Sequence, residues 1–597
     1  MRVADYLMHR LAHLGIRQVF FLPGGGAMHL NDALGRHPDL TPVLCLTEQA
    51  AGIAAEAAGK YLSGPAACLT TSGPGATNAV TAVLGAWLDS TPVFFLSGQV
   101  KSADLKAGTK LRMRGVQEAD IVSIVSSITK AAVTLTDPAS VAETFDHLEH
   151  AALTGRRGPV WLDVPLDVQA AEIDPDTLPR ARHDVRAGPA PADLLPAARQ
   201  TLALLQSARR PALIAGAGIR MAGAAQEFQR LYETTRIPVL PTWLGMDLIA
   251  DDHPLYAGRP GSIAPRYANF TLQNADCLVI LGARLDMAMT AYDHARFAPQ
   301  AQKIVVEIDP AEIAKLEMPI ALPVVADVGA FLQALHTALD EAPAQTLPGY
   351  DDWLARIAGW KARYPLLRPE HADDRQGISL YTFTDCLSER LTGEDLIAPG
   401  SSGFASELFL LNLRLKAGQR CFHNRGTGSM GFGLPAAIGA CLASGGRRTI
   451  CVEGDGGFQM NAQELATLAR ENLPVKCFVV NNRGYASIRA SQSANFGRLT
   501  GADATSGLKL PDLSRLAAAY DVPYTRIERH ADLKTHLNDI LTTPGPLLCE
   551  LVAQADEARI PRVMTRLNVQ GQPESSPLED LYPFLDREEL RANMECE

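Results

Sequence analysis

The sequence has no closely spaced cysteine pairs, no unbroken apolar run long enough to cross a bilayer and no block of lysine and arginine. Each absence removes a class of function. The ten cysteines, Cys45, Cys68 and Cys451 among them, sit singly within apolar, strand-like runs. They read as small core residues in a reducing compartment, with neither a disulfide framework nor a metal cluster. The N-terminal stretch MRVADYLMHRLAHLGIRQVFFLPGGG carries charges every few residues and lacks the apolar core of a signal peptide, so the expected location is the cytoplasm. No segment of membrane-spanning length is present, and no membrane partner is expected. A formal net charge of −11, with basic residues scattered, excludes nucleic acid as the natural partner. No short-period repeat or low-complexity tract interrupts the chain.

What the chain does have is size and alternation. At 597 residues it exceeds the size of a single core, and about 150 residues per domain suggests three or four; three is our reading. Short apolar runs such as VFFL, VLCL, ACLTT and PVFFL alternate with amphipathic stretches. The same alternation returns in PALIAGAG, ADCLVILGAR and KIVVEIDPAEI, and again in RTICVEGDG and VKCFVVNN. That is the pattern of parallel sheets covered by helices on both faces. We therefore expect an α/β protein of three doubly wound parallel-sheet domains, at residues 1–175, 190–345 and 370–555, with a tail at 556–597. A Pro/Ala-rich connector from about Asp174 to Pro196 separates the first two.

The most informative stretch is Gly454-Asp455-Gly456-Gly457 at the end of the apolar run from Thr449. A Gly-Asp-Gly by itself marks only a tight turn. Here a helical stretch, Asn461 to Asn472, leads to a second strand from Val475 that ends in Asn481-Asn482. In a right-handed strand-helix-strand crossover both carboxyl ends open onto one sheet edge, so Asp455 and Asn482 reach one ion. Together with the backbone carbonyl of Gly484 they form a hard-oxygen set with half an octahedron open, which suits Mg²⁺ bridging two phosphate oxygens. The flanking glycines Gly454, Gly456 and Gly457 allow backbone N–H groups to approach a diphosphate.

Gly-Asp-Gly followed some two dozen residues later by Asn-Asn resembles the signature of the thiamine-diphosphate enzymes. Further segments resemble that family across almost the whole chain. In LTEQAAGIAAEAAGKYL the match implies that Glu48 is the activating carboxylate, hydrogen-bonded to N1′ of the cofactor's aminopyrimidine. In Thr71-Ser72-Gly73-Pro74-Gly75-Ala76-Thr77-Asn78 it implies close approach to the cofactor, with Ser72, Gly73, Asn78 and also Gly25 as contacts. GTGSMGFGLPAAIGA resembles the segment that bends the cofactor: Met430 is the apolar wedge, while the backbones of Gly428 and Met430 meet the aminopyrimidine. Ser401, Ser402 and Tyr485 complete the implied contacts on the diphosphate side, and Gln117 resembles a polar residue facing the thiazolium. The family implies at least a homodimer, or a dimer of dimers, with active sites at the subunit interface.

Within the family the fullest similarity is to the acetolactate synthase-like branch, through FLPGGGAMHLNDAL, GVQEADIVSIVSSITKAA and GPVWLDVPLDVQ. No His-His pair of the pyruvate decarboxylase kind occurs. The central domain is similar to a flavin-binding one, implying FAD at Gly216, Gly218, Gly282, Arg284, Glu307 and Asp327. Ala288 and Ser126-Ser127 stand where arginines are usual. After the metal motif, NNRGYASIRASQSANFGRLTG lacks the tryptophan of housekeeping synthases, and with the tail SSPLEDLYPFLDREEL it resembles synthase-like enzymes of O-antigen and deoxysugar pathways. The expected reaction is therefore that of a lyase or transferase: a 2-keto acid such as pyruvate is decarboxylated and its acyl unit joined to an aldehyde or ketone, a keto sugar among the candidates. Arg483, Arg489 and Arg498 are expected as basic groups for that acceptor. An acetolactate synthase, with a second pyruvate as acceptor, and a hydrolase of cyclic diketones are the alternatives.

Overall fold

The computed structural model describes residues 1–106, 108–181, 188–342, 347–567 and 570–595. Three sheets follow one another along the chain, and every strand pair in them is parallel. The first contains β1 (Gln18–Phe21), β2 (Thr41–Leu44), β3 (Ala66–Thr70), β4 (Val93–Gln99), β5 (Ala131–Thr134) and β6 (Val160–Pro165) in the order β2-β1-β3-β4-β6-β5. The second has five strands, β7 (Pro211–Ala215), β8 (Val239–Pro241), β9 (Cys277–Leu281), β10 (Gln302–Glu307) and β11 (Leu322–Val325), ordered β11-β10-β9-β7-β8. The third contains β12 (Leu396–Pro399), β13 (Arg420–Cys421), β14 (Thr449–Gly454), β15 (Val475–Asn481), β16 (Tyr524–Ile527) and β17 (Leu547–Val552), ordered β13-β12-β14-β15-β17-β16. The central strands are buried along their whole length because helices cover both faces, which is why they read as unbroken apolar runs.

The first and third sheets share one topology: counted within each, the strands run 2-1-3-4-6-5. They belong to one compact unit, and the central sheet belongs to another. In the first unit the helix Glu48–Leu62, which follows the second strand of its sheet, packs along Gly433–Ala443, which follows the second strand of the other. Both helices are rich in alanine and glycine, and their backbones meet: a Cβ on Gly439 would lie 2.0 Å from the carbonyl oxygen of Ala54. Beside this seam a buried ion cluster spans the two sheets. Lys60 Nζ lies 2.7 Å from Glu56 Oε1 and 2.9 Å from Asp89 Oδ2, and donates to the carbonyl of His423.

In the second unit the helix Pro191–Ser207 starts inside the connector expected to run to Pro196, and carries Pro196 in its second turn. Pro191 sits at the first helical position, where no N–H is needed, so a proline-rich stretch is here a helix start and not a linker. Residues 182–187 of that connector and 343–345 of the expected central domain lie outside the described residues. The tail lies on the same unit: Leu578 joins its core, and Asn269 donates to the Leu578 carbonyl at 2.7 Å. No helix among the described residues is long and apolar enough to cross a membrane.

A buried acid sits in the first sheet without a basic partner among its bonded groups. Asp163 accepts from Ser97 Oγ at 2.6 Å, Gln99 Nε2 at 3.0 Å and Thr134 Oγ1 at 3.3 Å. Burial pushes its carboxyl up to about 7. An acid raised on folding gives its full stability below the unfolded pKa of roughly 4 and loses it as pH rises towards the folded value. Asp163→Asn is therefore expected to gain on the parent between pH 4 and 8, by roughly 2–4 kcal/mol in urea unfolding at the upper end. A difference that does not change with pH would refute the assignment.

Candidate active site

β14 and β15 pair in register with Gly454 opposite Val480, so both carboxyl ends open on one edge of the third sheet. Asp455 begins the helical turn after β14. Its Oδ1 accepts from the N–H of Gly456 at 2.7 Å and its Oδ2 from the N–H of Gly484 at 2.8 Å. Burial still pushes this carboxyl up to about 6, because those donors replace only part of the lost water. The two asparagines after β15 divide the work. Asn481 is structural: its Nδ2 donates to Glu550 Oε1 at 2.5 Å, its Oδ1 accepts from the N–H of Arg483 at 3.2 Å, and Tyr524 holds the other Glu550 oxygen. Asn482 is 5% exposed, and its side-chain oxygen has no hydrogen-bond partner. A buried carbonyl oxygen without a donor costs about 1–3 kcal/mol, and a cation beside it removes that cost.

This donor set fits magnesium: a carboxylate, an open amide oxygen and the turn that ends at Gly484. That turn needs glycine, since Gly484 has φ +119° and a Cβ there would sit 2.5 Å from the Ala502 carbonyl. Gly456 and Gly457 have a different reason to be glycine. A Cβ on Gly456 would strike the Tyr485 ring at 2.2 Å, and one on Gly457 would meet Glu453 Oε1 at 2.6 Å. Glu453 itself is buried, accepts from the N–H groups of Gly433 and Gly454, and is pushed up to about 7 by burial. Gly454 is open on its Cα side: a Cβ there would find Ala405 Cβ as its nearest neighbour, at 3.6 Å.

On the first sheet, Glu48 opens its helix behind Thr47, whose hydroxyl caps the N–H of Ala50. Glu48 is buried, and its Oε2 accepts from Asn78 Nδ2 at 3.0 Å. Gly75 lies against Oε1, so the Ser72–Asn78 loop and the carboxylate are neighbours. Gly73 has φ +56° and faces the carbonyl of Gln117, 2.5 Å from where a Cβ would stand. Gln117 is exposed and itself has φ +65°, an uncommon conformation for glutamine. Ser72 is buried beside Gly26, while Gly25 is exposed with nothing within 4 Å of a Cβ position.

The Gly428–Met430 loop is pinned from below. Gly428 has φ +60° and donates its N–H to the carbonyl of Asn424. Asn424 in turn donates its N–H to Ser401 Oγ at 2.8 Å and its amide to Glu56 at 2.8 Å. Met430 and Ser402 are half-buried. Asn461 ties this loop to the Glu48 side, donating to the Gly431 carbonyl at 2.9 Å and meeting Thr47 Oγ1 at 3.3 Å. Glu464 accepts from the N–H groups of Leu46 and Thr47, the two residues before Glu48.

Sequence reasoning misses Asn424, Asn461 and Glu464, and also the hydroxyls of Thr427 and Ser487. Those two hydroxyls are buried without partners and flank the loops already named. A hydroxyl one to three residues from a motif glycine was the available signal. One expectation is corrected. Arg489 is not a group open to an acceptor: its guanidinium is buried and turned onto the carbonyls of Asn482, Arg483 and Ala555. Arg483 and Arg498 are exposed.

In the second unit, Gly216, Gly218 and Gly282 pack on one another. A Cβ on Gly216 would lie 2.0 Å from the Gly282 carbonyl oxygen, and one on Gly218 2.7 Å from Gly282 Cα. Glu307 accepts from the N–H groups of Ile308 and Asp309, and Asp327 caps the helix Val328–Glu341 through Gly329 and Ala330. Arg284 is half-buried and engaged. The glycines are explained by loop packing and both carboxylates serve backbone, so these residues give no positive indication of a bound flavin.

The sequence matches three domain families: "Thiamine pyrophosphate enzyme, N-terminal TPP binding domain" over residues 1–124, the "central domain" over 198–335 and the "C-terminal TPP binding domain" over 401–551. Among characterised relatives, it is 32% identical over 574 residues to acetolactate synthase 1, chloroplastic, of Zea mays, covering 94% of this chain and 86% of that protein. It is 31% identical over 563 residues to the acetolactate synthase isozyme 1 large subunit of Escherichia coli K12, covering 94% and 95%. With the probable acetolactate synthase large subunit of Methanocaldococcus jannaschii it shares 33% identity over 570 residues, covering 94% and 93%.

Magnesium with thiamine diphosphate is expected to raise the unfolding temperature, and chelation to reverse the rise. In Asp455→Asn the magnesium-dependent part should vanish while the unfolding temperature in chelator stays the same or increases. An undiminished magnesium response in that variant would rule out the proposed ligand.

Proposed function

Because the chain belongs to the thiamine pyrophosphate enzymes as an acetolactate synthase-like member, we propose that it decarboxylates pyruvate and joins the remaining two-carbon unit to a second 2-keto acid. The observation that carries this reading is similarity to acetolactate synthases over 94% of the chain, with all three domains matched. It supports a 2-keto acid acceptor better than the keto sugar expected from the sequence.

Bound thiamine diphosphate supplies a carbon that takes up the electron pair released when CO₂ leaves. Each remaining role falls to side chains of this protein. Glu48 would share a proton with N1′ of the pyrimidine, in the apolar setting that its burial provides. Asn78 holds the Glu48 carboxylate from one side, which fixes the oxygen that points away from it. Asp455, Asn482 and the carbonyl of Gly484 would hold magnesium on the diphosphate, with Gly454, Gly456, Gly457, Ser401, Ser402 and Tyr485 around it. Gly428 and Met430 would orient the pyrimidine, Gly25, Ser72 and Gly73 would line its other side, and exposed Gln117 would meet the keto acid. The location is cytoplasmic and the working form a homodimer or a dimer of dimers. FAD belongs to this reading only through the resemblance of the central domain to a flavin-binding one, and no step described above needs it.

A second reading, transfer to a larger anionic acceptor, draws on one observation: residues 483–501 contain no tryptophan and leave Arg483 and Arg498 exposed. Carbon-13 NMR with labelled pyruvate, thiamine diphosphate and magnesium decides between them. Labelled acetolactate from pyruvate alone is expected; an adduct formed only with an added aldehyde or nucleotide-bound keto sugar would favour the second reading. Unconsumed pyruvate under every condition would overturn both. Glu48→Gln is expected to lower turnover at least about 100-fold while the cofactor still binds with magnesium.

A further inference from the structure

The turn that carries Asn482 and Gly484 is held in an unfavourable backbone conformation. Arg483 has φ +66° and Gly484 φ +119°, so two successive residues lie in the left-handed half of conformational space, and the first of them has a Cβ. Such a turn persists only where the surroundings over-determine it. Two of its N–H groups are fixed from one side, that of Arg483 by Asn481 and that of Gly484 by Asp455. The carbonyls are fixed from the other. Arg489, one turn into the helix Ala486–Phe496, sends Nη2 to the Asn482 carbonyl at 3.1 Å and Nη1 towards that of Arg483 at 3.4 Å, and also holds the carbonyl of Ala555.

We propose that Arg489 is a positioning residue of the metal turn, locking two consecutive carbonyls away from the ion so that the Asn482 side-chain oxygen and the Gly484 carbonyl stay aimed at it. The inference rests on the magnesium reading of Asp455 and Asn482. Its chemistry is specific to a guanidinium. A planar, permanently charged fork spreads its N–H groups in one plane towards three separated carbonyls, whereas a lysine ammonium donates its three N–H groups from a single point. Charge alone would repel a divalent cation, so positioning and electrostatics make opposite predictions about what removing Arg489 does to metal affinity.

The test is a magnesium titration of the full-length protein at saturating thiamine diphosphate, read by near-ultraviolet circular dichroism and tryptophan fluorescence, and separately by turnover. In Arg489→Met the magnesium concentration at half-saturation is expected to rise at least tenfold, with turnover at saturating magnesium within threefold of the parent. Arg489→Lys should fall between the two, and Arg515→Gln, at an exposed arginine of the helix Leu513–Ala519, should match the parent. Unchanged or tighter magnesium binding in Arg489→Met would overturn the proposal, as would a loss of turnover that magnesium does not restore. If neither Arg489 variant folds, the residue serves general stability and the proposal falls. A parent protein with no magnesium-dependent signal would instead refute the metal reading on which it rests.

Discussion

Everything assigned to the candidate site depends on the parallel pairing of β14 with β15. Because the strands run the same way, the residue after one and the residue after the other share an edge, and a carboxylate and an amide 27 positions apart in the chain become neighbours. The crossover between them is short and partly helical, so neither side chain is carried on a long loop. What the strands cannot supply is the shape of the turn after β15. That comes from outside the crossover, from Glu550 on β17 through Asn481 and from the helix that follows.

The same topology in the first and third sheets gives the molecule a second level of order. The helix that begins with Glu48 and the helix Gly433–Ala443 occupy equivalent places in their sheets and pack along each other. Around that seam, Asn461 and Glu464 from the segment after the metal motif reach the residues just before Glu48. The loop that carries Met430 is tied to the same seam through Asn424 and Glu56. Two elements distant in sequence are thus fixed by one polar web, in which Glu464 leans on backbone N–H groups and Glu56 on Lys60 and the Asn424 amide.

Much of this was legible in the sequence, for reasons that can be named. Apolar runs ending in glycine or asparagine mark strand ends, and the edge shared by Asp455 and Asn482 follows from strand pairing alone. Direction within a helix or a turn was not legible. Arg489 and Arg498 look alike in the sequence, yet one is buried against carbonyls and the other exposed, because that depends on where each falls around the helix and its end. Glycine was ambiguous too: at Gly216 and Gly218 it admits another loop of the same chain, and spacing cannot tell that from admitting a ligand. The proline-rich connector misled because proline both breaks and begins helices, and at Pro191 it begins one.

The contact of Gly439 with the Ala54 carbonyl has a consequence for how such a protein changes over generations. Where backbone touches backbone there is no side chain to trade, so the seam can neither drift by small compensating substitutions nor be improved by them. The stretch after the metal turn is the opposite, with residues such as Ile488 and Phe496 exposed and little to disturb. The two stretches therefore tolerate change differently: the seam beside the Glu48 helix admits almost none, while the exposed stretch after the turn admits a good deal.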